Sequence, residues 1–360
     1  MTTATSTIRS WMMTRPGQPF EFNERPIGDI PAGEVLVRVA GCGVCHTDLS
    51  FLHQGVSTRA ALPLTLGHEI SGTVESIGDG VDRSLLDAAV IVPAVMPCGD
   101  CDACRAGQMR ICPNQIMPGN DRHGGFATHV VVPARYLCPV PEIVAADLDL
   151  WRLAVVADAL TTPYQAVVRS GLQAGDLAVV IGAGGIGIHA VQIAAATGAH
   201  VVAIDVNPGR LAMASAHGAV AALNSAELTS RELRHMVNEA ANKAGARSFG
   251  WRIFETSGTK PGQETAWSLL SHGAVLAVVG FTMEKTELRL SNLMAFDAMA
   301  FGNWGCDARL YPEVVDLLAT HSVQLSPFVE AHPLSAINDV FEQAHHHTPA
   351  LRPILRPDLD

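Results

Sequence analysis

The sequence of 360 residues contains little positive charge, and arginine supplies most of it. Lysines and arginines number 24 against 35 acidic residues, so the formal net charge at pH 7 is −11. This balance cannot neutralise the phosphates of a nucleic acid, which excludes nucleic-acid binding as the main function. An anionic substrate would have to be bound by local arginines rather than by the overall field of the protein.

The sequence also lacks an uninterrupted apolar segment long enough for a membrane-spanning helix. Its longest apolar stretch, residues 177–204, is broken by glycine, histidine and glutamine residues that a lipid-facing helix disfavours. Residues 1–13 include Arg9 but no continuous apolar core, so we find no signal peptide there. We therefore expect a soluble, cytoplasmic protein that has no membrane partner.

Cysteine is scarce over most of the chain and concentrated in two places. Four of the eight cysteines lie between Cys98 and Cys112, and two more are Cys42 and Cys45. In a long chain without a secretion signal, this clustering indicates metal binding in a reducing compartment rather than disulfide bonds. The length of the chain exceeds that of one ordinary core and predicts two domains.

The pattern of apolar residues changes along the chain and predicts an α/β protein with two domains. Short apolar runs separated by turns predict a β-rich, barrel-like first domain, with strands near 34–40, 70–77, 88–95 and 126–132. From about residue 160, strands alternate with alanine-rich helices, which predicts a doubly wound parallel sheet with strands at 177–182, 200–205, 251–256 and 274–280. The final segment is expected to return to the first domain. The predicted domains are residues 1–159 with 297–360, and residues 160–296.

A glycine-rich motif follows the first strand of the second domain. The motif G-x-G-x-x-G consists of Gly182, Gly184, Gly185, Ile186 and Gly187 around Ala183. A helix over 188–196 and an acidic residue about 20 positions later, Asp205, complete the context of a Rossmann dinucleotide-binding turn. The carboxylate of Asp205 would accept bonds from ribose hydroxyls and repel a 2′-phosphate, which predicts NAD, and Arg210 is expected to contact the ribose. The alternative is a packing turn that holds no ligand.

Two groups of residues predict zinc sites. Four thiolates spaced as C-x₂-C-x₂-C-x₇-C can close a tetrahedron around one Zn²⁺ and leave no open position, which predicts a structural site at Cys98, Cys101, Cys104 and Cys112. The second group combines the stretch from Cys45 to Asp48 with His68 and Glu69. Cys45 and His68 supply two ligands of a mixed nitrogen and sulfur site, and a third protein ligand is needed there.

These motifs occur in the order seen in zinc-containing medium-chain alcohol dehydrogenases, which the sequence resembles over essentially its whole length. The resemblance implies a GroES-like catalytic domain, a Rossmann domain, two Zn²⁺ ions per chain and NAD. It implies that zinc acts as a Lewis acid on the alcohol oxygen while hydride passes to the nicotinamide. It also implies a homo-oligomer, a dimer or a tetramer, assembled through the nucleotide-binding domain.

The resemblance further implies roles for residues around the second zinc site. Most of the family has a cysteine as third ligand six residues ahead of a tyrosine, and here Asp158 precedes Tyr164 by that distance. A carboxylate is a competent zinc ligand, although Asp158 could instead cap a helix. Glu69 would lie behind the metal, and Asp48 would accept a bond from His68 and fix its tautomer.

The proton path departs from the family pattern. A hydroxyl two residues after the first zinc cysteine, here Thr47, is implied to bond the substrate oxygen. The family commonly has a histidine three residues further along, where this chain has Ser50. The relay is therefore expected to be shortened, rerouted or carried by water, with His46 and His53 as nearby groups.

A finer resemblance concerns the substrate. Residues 118–127, the run that ends at Cys98 and the stretch around Asp158 look like 6-hydroxycyclohex-1-ene-1-carbonyl-CoA dehydrogenases of anaerobic aromatic degradation. They imply a cyclic hydroxyacyl-CoA substrate, with Arg59 or Arg122 serving the CoA phosphates. The alternatives are a generic secondary or aromatic alcohol dehydrogenase and, from another class, a non-catalytic zinc protein that binds a partner. A zinc-free quinone reductase would lack the metal ligands.

Overall fold

The computed structural model describes residues 7–346 and 351–359. The first six residues, which belong to the segment where the sequence shows no signal-peptide pattern, lie outside this description. The chain forms two compact units. The first comprises Met1–Asp158, Gly305–Ala319 and Leu325–Asp360, and the second comprises Ala159–Trp304 and Thr320–Gln324.

Strands and helices follow one another along the described residues. The strands are β1 (Thr7–Met12), β2 (Glu21–Pro26), β3 (Glu34–Gly43), β4 (Glu69–Ile77), β5 (Ala89–Val92), β6 (His129–Pro133), β7 (Cys138–Pro139), β8 (Leu177–Ile181), β9 (His200–Asp205), β10 (Ala219–Asn224), β11 (Arg252–Glu255), β12 (Val275–Val278), β13 (Met299–Gly302), β14 (Val329–Pro333) and β15 (Arg352–Arg356). The α-helices are α1 (His46–His53), α2 (Asp102–Arg105), α3 (Glu142–Leu148), α4 (Thr161–Ser170), α5 (Gly187–Ala196), α6 (Pro208–Ala216), α7 (Ser230–Ala244), α8 (Lys260–Ser268), α9 (Ser291–Phe296), α10 (Tyr311–Ala319) and α11 (Ile337–His346).

The first unit is built on a seven-stranded sheet in the order β14-β15-β3-β4-β5-β7, with β6 paired to β3. The long strand β3 pairs antiparallel with both β4 and β6, and buries Val35, Val37 and Val39 at alternate positions. Alternation of this kind is what the sequence shows at 34–40. The strands β1 and β2 pair with each other in a separate ribbon. Sequence patterning missed β2 because its side chains are mostly exposed and do not alternate.

Three phenylalanines from distant parts of the chain meet in the core of the first unit. The rings of Phe20 and Phe126 each pack edge-to-face on Phe341, at centroid distances of 4.7 and 5.6 Å. Edge-to-face packing of aromatic rings adds to the stabilisation from buried area. Because Phe341 lies in α11, this contact holds that helix against the core of the first unit.

The second unit contains a six-stranded parallel sheet in the order β10-β9-β8-β11-β12-β13. In the order of the chain, this is the 3-2-1-4-5-6 arrangement of a dinucleotide-binding Rossmann fold. The strand order reverses between β8 and β11, and ligands of such sheets bind at the carboxyl ends of the strands on either side of that reversal. The predicted doubly wound parallel sheet is confirmed.

Two strands of this sheet were not predicted from the sequence. The strand β10 is rich in alanine and half-exposed, and β13 is an edge strand with mostly exposed side chains, so neither has the apolar run of a buried strand. Because β13 pairs with β12, the second unit extends to Trp304, beyond the boundary expected at residue 296. Among the described residues, no helix has the length and apolar character needed to cross a membrane.

Candidate active site

The amino end of α1 places Cys45 and Asp48 beside the loop that carries His68. Cys45 is the residue that begins the helix, and its backbone N–H donates to Asp48 Oδ2 at 3.0 Å. The other carboxylate oxygen, Oδ1, accepts from the backbone N–H of Gly67 at 3.2 Å. The fully buried Asp48 therefore joins the two loops that supply the first two candidate ligands. It also lies 3.4 Å from His68 Nδ1, the nitrogen predicted to face it.

The side chains of Cys45, His68 and Asp158 converge in the first unit. Asp158 Oδ2 lies 3.8 Å from Cys45 Sγ and 3.6 Å from His68 Nε2. With bonds of about 2.0 to 2.3 Å, tetrahedral zinc places its ligand atoms about 3.4 to 3.8 Å apart. These distances match that geometry, so the three side chains fit a zinc ion. Glu69 has a ligand atom within 4.8 Å of the other three.

The backbone around Asp158 favours its placement as a ligand over a role as a helix cap. Asp158 ends the 3₁₀ turn Leu150–Ala157. The following helix α4 begins after Leu160, which makes no side-chain capping bond. The position that Asp158 would need for capping α4 therefore belongs to another residue, and the carboxylate faces Cys45 and His68 instead.

Glu69 is held by an arginine that sequence reasoning missed. Arg352 in β15 donates to both carboxylate oxygens, with Nε 2.7 Å from Oε2 and Nη2 2.5 Å from Oε1. Burial raises the pKa of Glu69 to about 7, although the positive charge of Arg352 acts in the opposite direction. The two residues are 283 positions apart, so no local pattern could reveal the pair. The pair ties the carboxyl-terminal strand to the back of the candidate metal site.

The four cysteines of the second candidate site form a compact cluster. Cys98 Sγ lies 4.0 Å from Cys104 Sγ, and Cys101 Sγ lies 3.8 Å from Cys112 Sγ. A zinc ion with Zn–S bonds of about 2.3 Å places its sulfurs about 3.8 Å apart, so the cluster fits a closed tetrahedral site. Backbone N–H groups of Cys98 and Cys101 point at sulfurs, which stabilises thiolates. All eight cysteines of the chain are free of disulfide bonds.

The glycine-rich turn of the second unit is shaped by close backbone contacts. Gly182 has a φ of +88°, and a Cβ on it would lie 2.6 Å from Ser257. A Cβ on Gly187 would meet the carbonyl oxygen of Gly182 at 1.7 Å. By contrast, Gly184 faces open space apart from Arg210. The turn with Gly185 and Ile186 leads directly into α5, so the amino end of this helix is a candidate position for a pyrophosphate.

Asp205 ends β9 beside this turn. Its Oδ2 accepts from the backbone N–H of Ala183 at 2.7 Å, and its Oδ1 accepts from that of Asn207 at 2.8 Å. Arg210 Nη1 lies 3.8 Å from Asp205 Oδ2. A carboxylate has about four acceptor positions, so two remain for ribose hydroxyls. The structure thus brings the glycine turn, Asp205 and Arg210 together at one sheet edge.

The residues of the expected proton path lie along α1. Thr47 is half-buried, and its Oγ1 lies 3.8 Å from Cys45 Sγ. Ser50 Oγ is within 2.9 Å of the His46 carbonyl oxygen and 3.0 Å of Gln54 Oε1, so its proton is engaged inside the helix. His53 stacks on His345 at a centroid distance of 4.1 Å, at the far end of the helix from Cys45.

Comparison with known proteins agrees with this architecture. Residues 31–142 match the family described as alcohol dehydrogenase GroES-like domain, and residues 185–320 match the family described as zinc-binding dehydrogenase. The chain is 31% identical to an alcohol dehydrogenase of Geobacillus stearothermophilus, over 89% of this chain and 90% of that protein.

Two solved structures extend the comparison. Galactitol-1-phosphate dehydrogenase from Escherichia coli aligns with a TM-score of 0.87 and 26% identity, covering 97% of this chain and 100% of that chain. Acetophenone reductase from Geotrichum candidum, solved in complex with NAD, aligns with a TM-score of 0.83 and 26% identity, covering 98% of each chain.

The chain therefore belongs to the zinc-binding medium-chain alcohol dehydrogenase family. The predicted fold class, a GroES-like domain with a Rossmann domain, is confirmed. The prediction of an enzyme that uses zinc and a nicotinamide dinucleotide is confirmed as well. The alternatives of a non-catalytic zinc protein and of a zinc-free reductase are set aside.

Removing the guanidinium behind the metal site should destabilise the first unit. In Arg352→Met the Glu69 carboxylate is left buried without its partner, and we expect a loss of about 3–5 kcal/mol in the free energy of unfolding. Urea titration measures this loss. The double variant Arg352→Met/Glu69→Gln should recover most of it, because no uncompensated charge remains. A loss below about 1 kcal/mol in the single variant would show that the pair contributes little.

Proposed function

We propose that this protein oxidises a secondary alcohol with NAD at a zinc site formed by Cys45, His68 and Asp158. The observation that carries the proposal is the convergence of these three ligand atoms at distances that suit zinc. When bound, zinc supplies a Lewis acid that favours the deprotonated form of the alcohol, and NAD supplies the hydride acceptor. Three protein ligands leave one position of a tetrahedral site for the substrate oxygen.

Residues around the ligands hold them for this reaction. Asp48 receives two backbone N–H groups and faces His68 Nδ1, so it orients the imidazole with Nε2 toward the metal position. Glu69 and Arg352 close the opposite side with a pair that is almost fully buried. This arrangement keeps water away from the back of the site.

Thr47 is the group that we propose for binding the alcohol hydroxyl. Its Oγ1 lies near Cys45 Sγ and its side chain remains partly accessible, so it can accept the alcohol proton in a hydrogen bond. Ser50 does not extend this path, because its hydroxyl is bonded within α1. When Thr47 Oγ1 takes up the alcohol proton, its own hydroxyl proton would leave to water, so we propose a relay that is shortened or carried by water.

Asp205 supports the choice of NAD. Its side chain is 4% exposed and accepts two backbone N–H groups, which fix its position. A fixed carboxylate at this place repels a 2′-phosphate. The guanidinium of Arg210 lies 3.8 Å from Asp205, so the carboxylate partly neutralises its charge.

The finer substrate, a cyclic hydroxyacyl-CoA, has support only from the local resemblance at 118–127, in the run that ends at Cys98 and around Asp158. The two arginines expected to serve CoA phosphates are both engaged. Arg59 lies 3.3 Å from Asp121, and Arg122 binds both oxygens of Glu34. A simple secondary alcohol or a polyol is an equally good candidate, because the relatives named above are an alcohol dehydrogenase, a galactitol-1-phosphate dehydrogenase and an acetophenone reductase.

Assembly is proposed through the open edge of the parallel sheet. Within the described residues, β13 pairs only with β12, and Met299 is 63% exposed. The exposed side chains Met283, Leu290 and Met294 lie in the same stretch of sequence. An unpaired strand edge flanked by apolar side chains favours pairing with a second copy of this chain.

Loss of the Asp158 carboxylate should remove one metal ion. The variant Asp158→Ala is expected to retain about one Zn²⁺ per chain against two in the unmodified enzyme, and to lose activity. Elemental analysis after dialysis measures this content, and Asp79→Ala, at an exposed aspartate, is the control. Retention of two ions in Asp158→Ala would show that the third ligand is another residue.

A substrate panel tests the reaction itself. Reduced cofactor, followed at 340 nm, should form with simple secondary alcohols or polyols and with NAD in preference to NADP. The preference for NAD over NADP should be smaller in Asp205→Ala, because the carboxylate that repels the 2′-phosphate is removed. If only hydroxyacyl-CoA thioesters react, the substrate is the cyclic hydroxyacyl-CoA implied by the local resemblance. If no alcohol reacts, the proposed function is wrong.

The assembly proposal predicts a change in mass when the sheet edge is charged. Met299→Glu should shift the enzyme toward the mass of a single chain in light scattering, because like charges would face each other across the interface. Val220→Glu, on the opposite edge strand β10 at 52% exposure, is the matched control and should leave the mass unchanged. Equal masses for all three proteins would rule out this edge as the interface.

A further inference from the structure

The first unit contains a cavity that the proposed reaction does not use. Its volume is about 270 Å³, close to the roughly 300 Å³ at which small-molecule sites begin. Much of its wall is apolar and comes from Ile8, Ile27, Ala127 and Val131. None of the proposed zinc ligands lines it. The cavity is therefore separate from the site where the alcohol binds.

A buried hydroxyl without a partner lines this cavity. Ser10 lies on the same face of β1 as Ile8, and its side chain is 2% exposed. Its Oγ makes no hydrogen bond to any of the described residues. Burial of an unpaired hydroxyl is unfavourable, so this group calls for an acceptor inside the cavity.

His123 adds a second donor. Its Nδ1 accepts from the backbone N–H of Thr65 at 3.2 Å, so the proton of the neutral ring is on Nε2. Burial lowers the pKa of His123, and the charges of Arg25 and Arg122 lower it further, which keeps the ring neutral. Both arginines line the cavity together with His123. The Nε2–H group has no acceptor among the residues that the structure describes.

The charged side chains that line the cavity differ in whether they have an ion-pair partner. Arg122 is committed to Glu34, which it binds at 2.9 and 2.7 Å. The guanidinium of Arg25 is exposed and has no hydrogen-bond or ion-pair partner in the described part of the chain. The remaining carboxylate of the lining, Asp29, is exposed to solvent, where water screens it. Water screens the exposed guanidinium of Arg25 in the same way, so the buried hydroxyl of Ser10 is the group that most needs an acceptor. The N–H group of the His123 ring and the guanidinium of Arg25 are two further donors of the lining.

We propose that this cavity binds a small apolar monocarboxylate, with its carboxylate on Ser10, His123 and Arg25 and its apolar part against Ile8 and Ala127. A carboxylate offers about four acceptor positions, which matches three donors. The apolar walls favour an aromatic or short aliphatic body over a sugar acid. The volume limits the ligand to one ring or a short chain.

Binding of benzoate to the zinc-loaded enzyme tests the proposal. Isothermal titration calorimetry should give a Kd that weakens about tenfold or more in Arg25→Gln and about three- to tenfold in Ser10→Ala, as expected for a charged and a neutral hydrogen bond. The matched control is Arg9→Gln, which removes the same charge from the exposed neighbour of Ser10 on β1 and should leave the Kd unchanged. Both Arg25 and Arg9 are exposed, so neither change threatens folding.

A benzoate ion could also bind at the zinc site, and one variant separates the two places. The affinity should persist in Asp158→Ala, because the cavity does not include the zinc ligands. Loss of binding in Asp158→Ala with no change in Arg25→Gln and Ser10→Ala would overturn the proposal. Equal binding of methyl benzoate, which carries no charge, would overturn it as well, and so would the absence of binding at millimolar benzoate.

Discussion

The candidate metal site depends on one buried carboxylate, that of Asp48. One oxygen accepts from the backbone of Cys45 and the other from that of Gly67, which precedes His68. Bonds from backbone N–H groups to a charged acceptor are among the stronger hydrogen bonds in proteins, especially where solvent is excluded. This carboxylate therefore links the helix that carries the cysteine to the loop that carries the histidine.

A second buried pair explains why the end of the chain belongs to the first unit. Glu69 directly follows His68 at the start of β4, and its charge is compensated by Arg352 from β15. The strand β15 also pairs with β3 at Cys42 and Gly43, and a Cβ on Gly43 would lie 2.1 Å from Glu69 Oε2. Glycine at this position leaves room for the carboxylate. The carboxyl-terminal strand is thus part of the support of the site.

Sequence patterns predicted the strands and turns that have a local motif or apolar run. They missed the features that depend on residues far away in the chain. The strands around Val35 and Val179 follow from alternating or continuous apolar residues, and the turn at Gly182 from its motif. The edge strand β13 has no such run, because exposed edges carry mixed side chains. The partnership of Arg352 with Glu69 depends on tertiary folding alone. The convergence of Asp158 on Cys45 needed a family pattern as well as the residue type.

The two candidate zinc sites differ in charge, and this difference suits different tasks. Four thiolates around a divalent ion give a net charge of −2, which makes the ion a poor Lewis acid and a good structural support. With Cys45 and Asp158 as its anionic ligands, the other site is neutral. Behind it, Arg352 donates to both oxygens of Glu69, and Asp48 accepts from two backbone N–H groups. A neutral site with an open position keeps the metal ion electrophilic, as alcohol oxidation requires. An aspartate ligand carries the same charge as the thiolate usual in the family, so this neutrality is preserved.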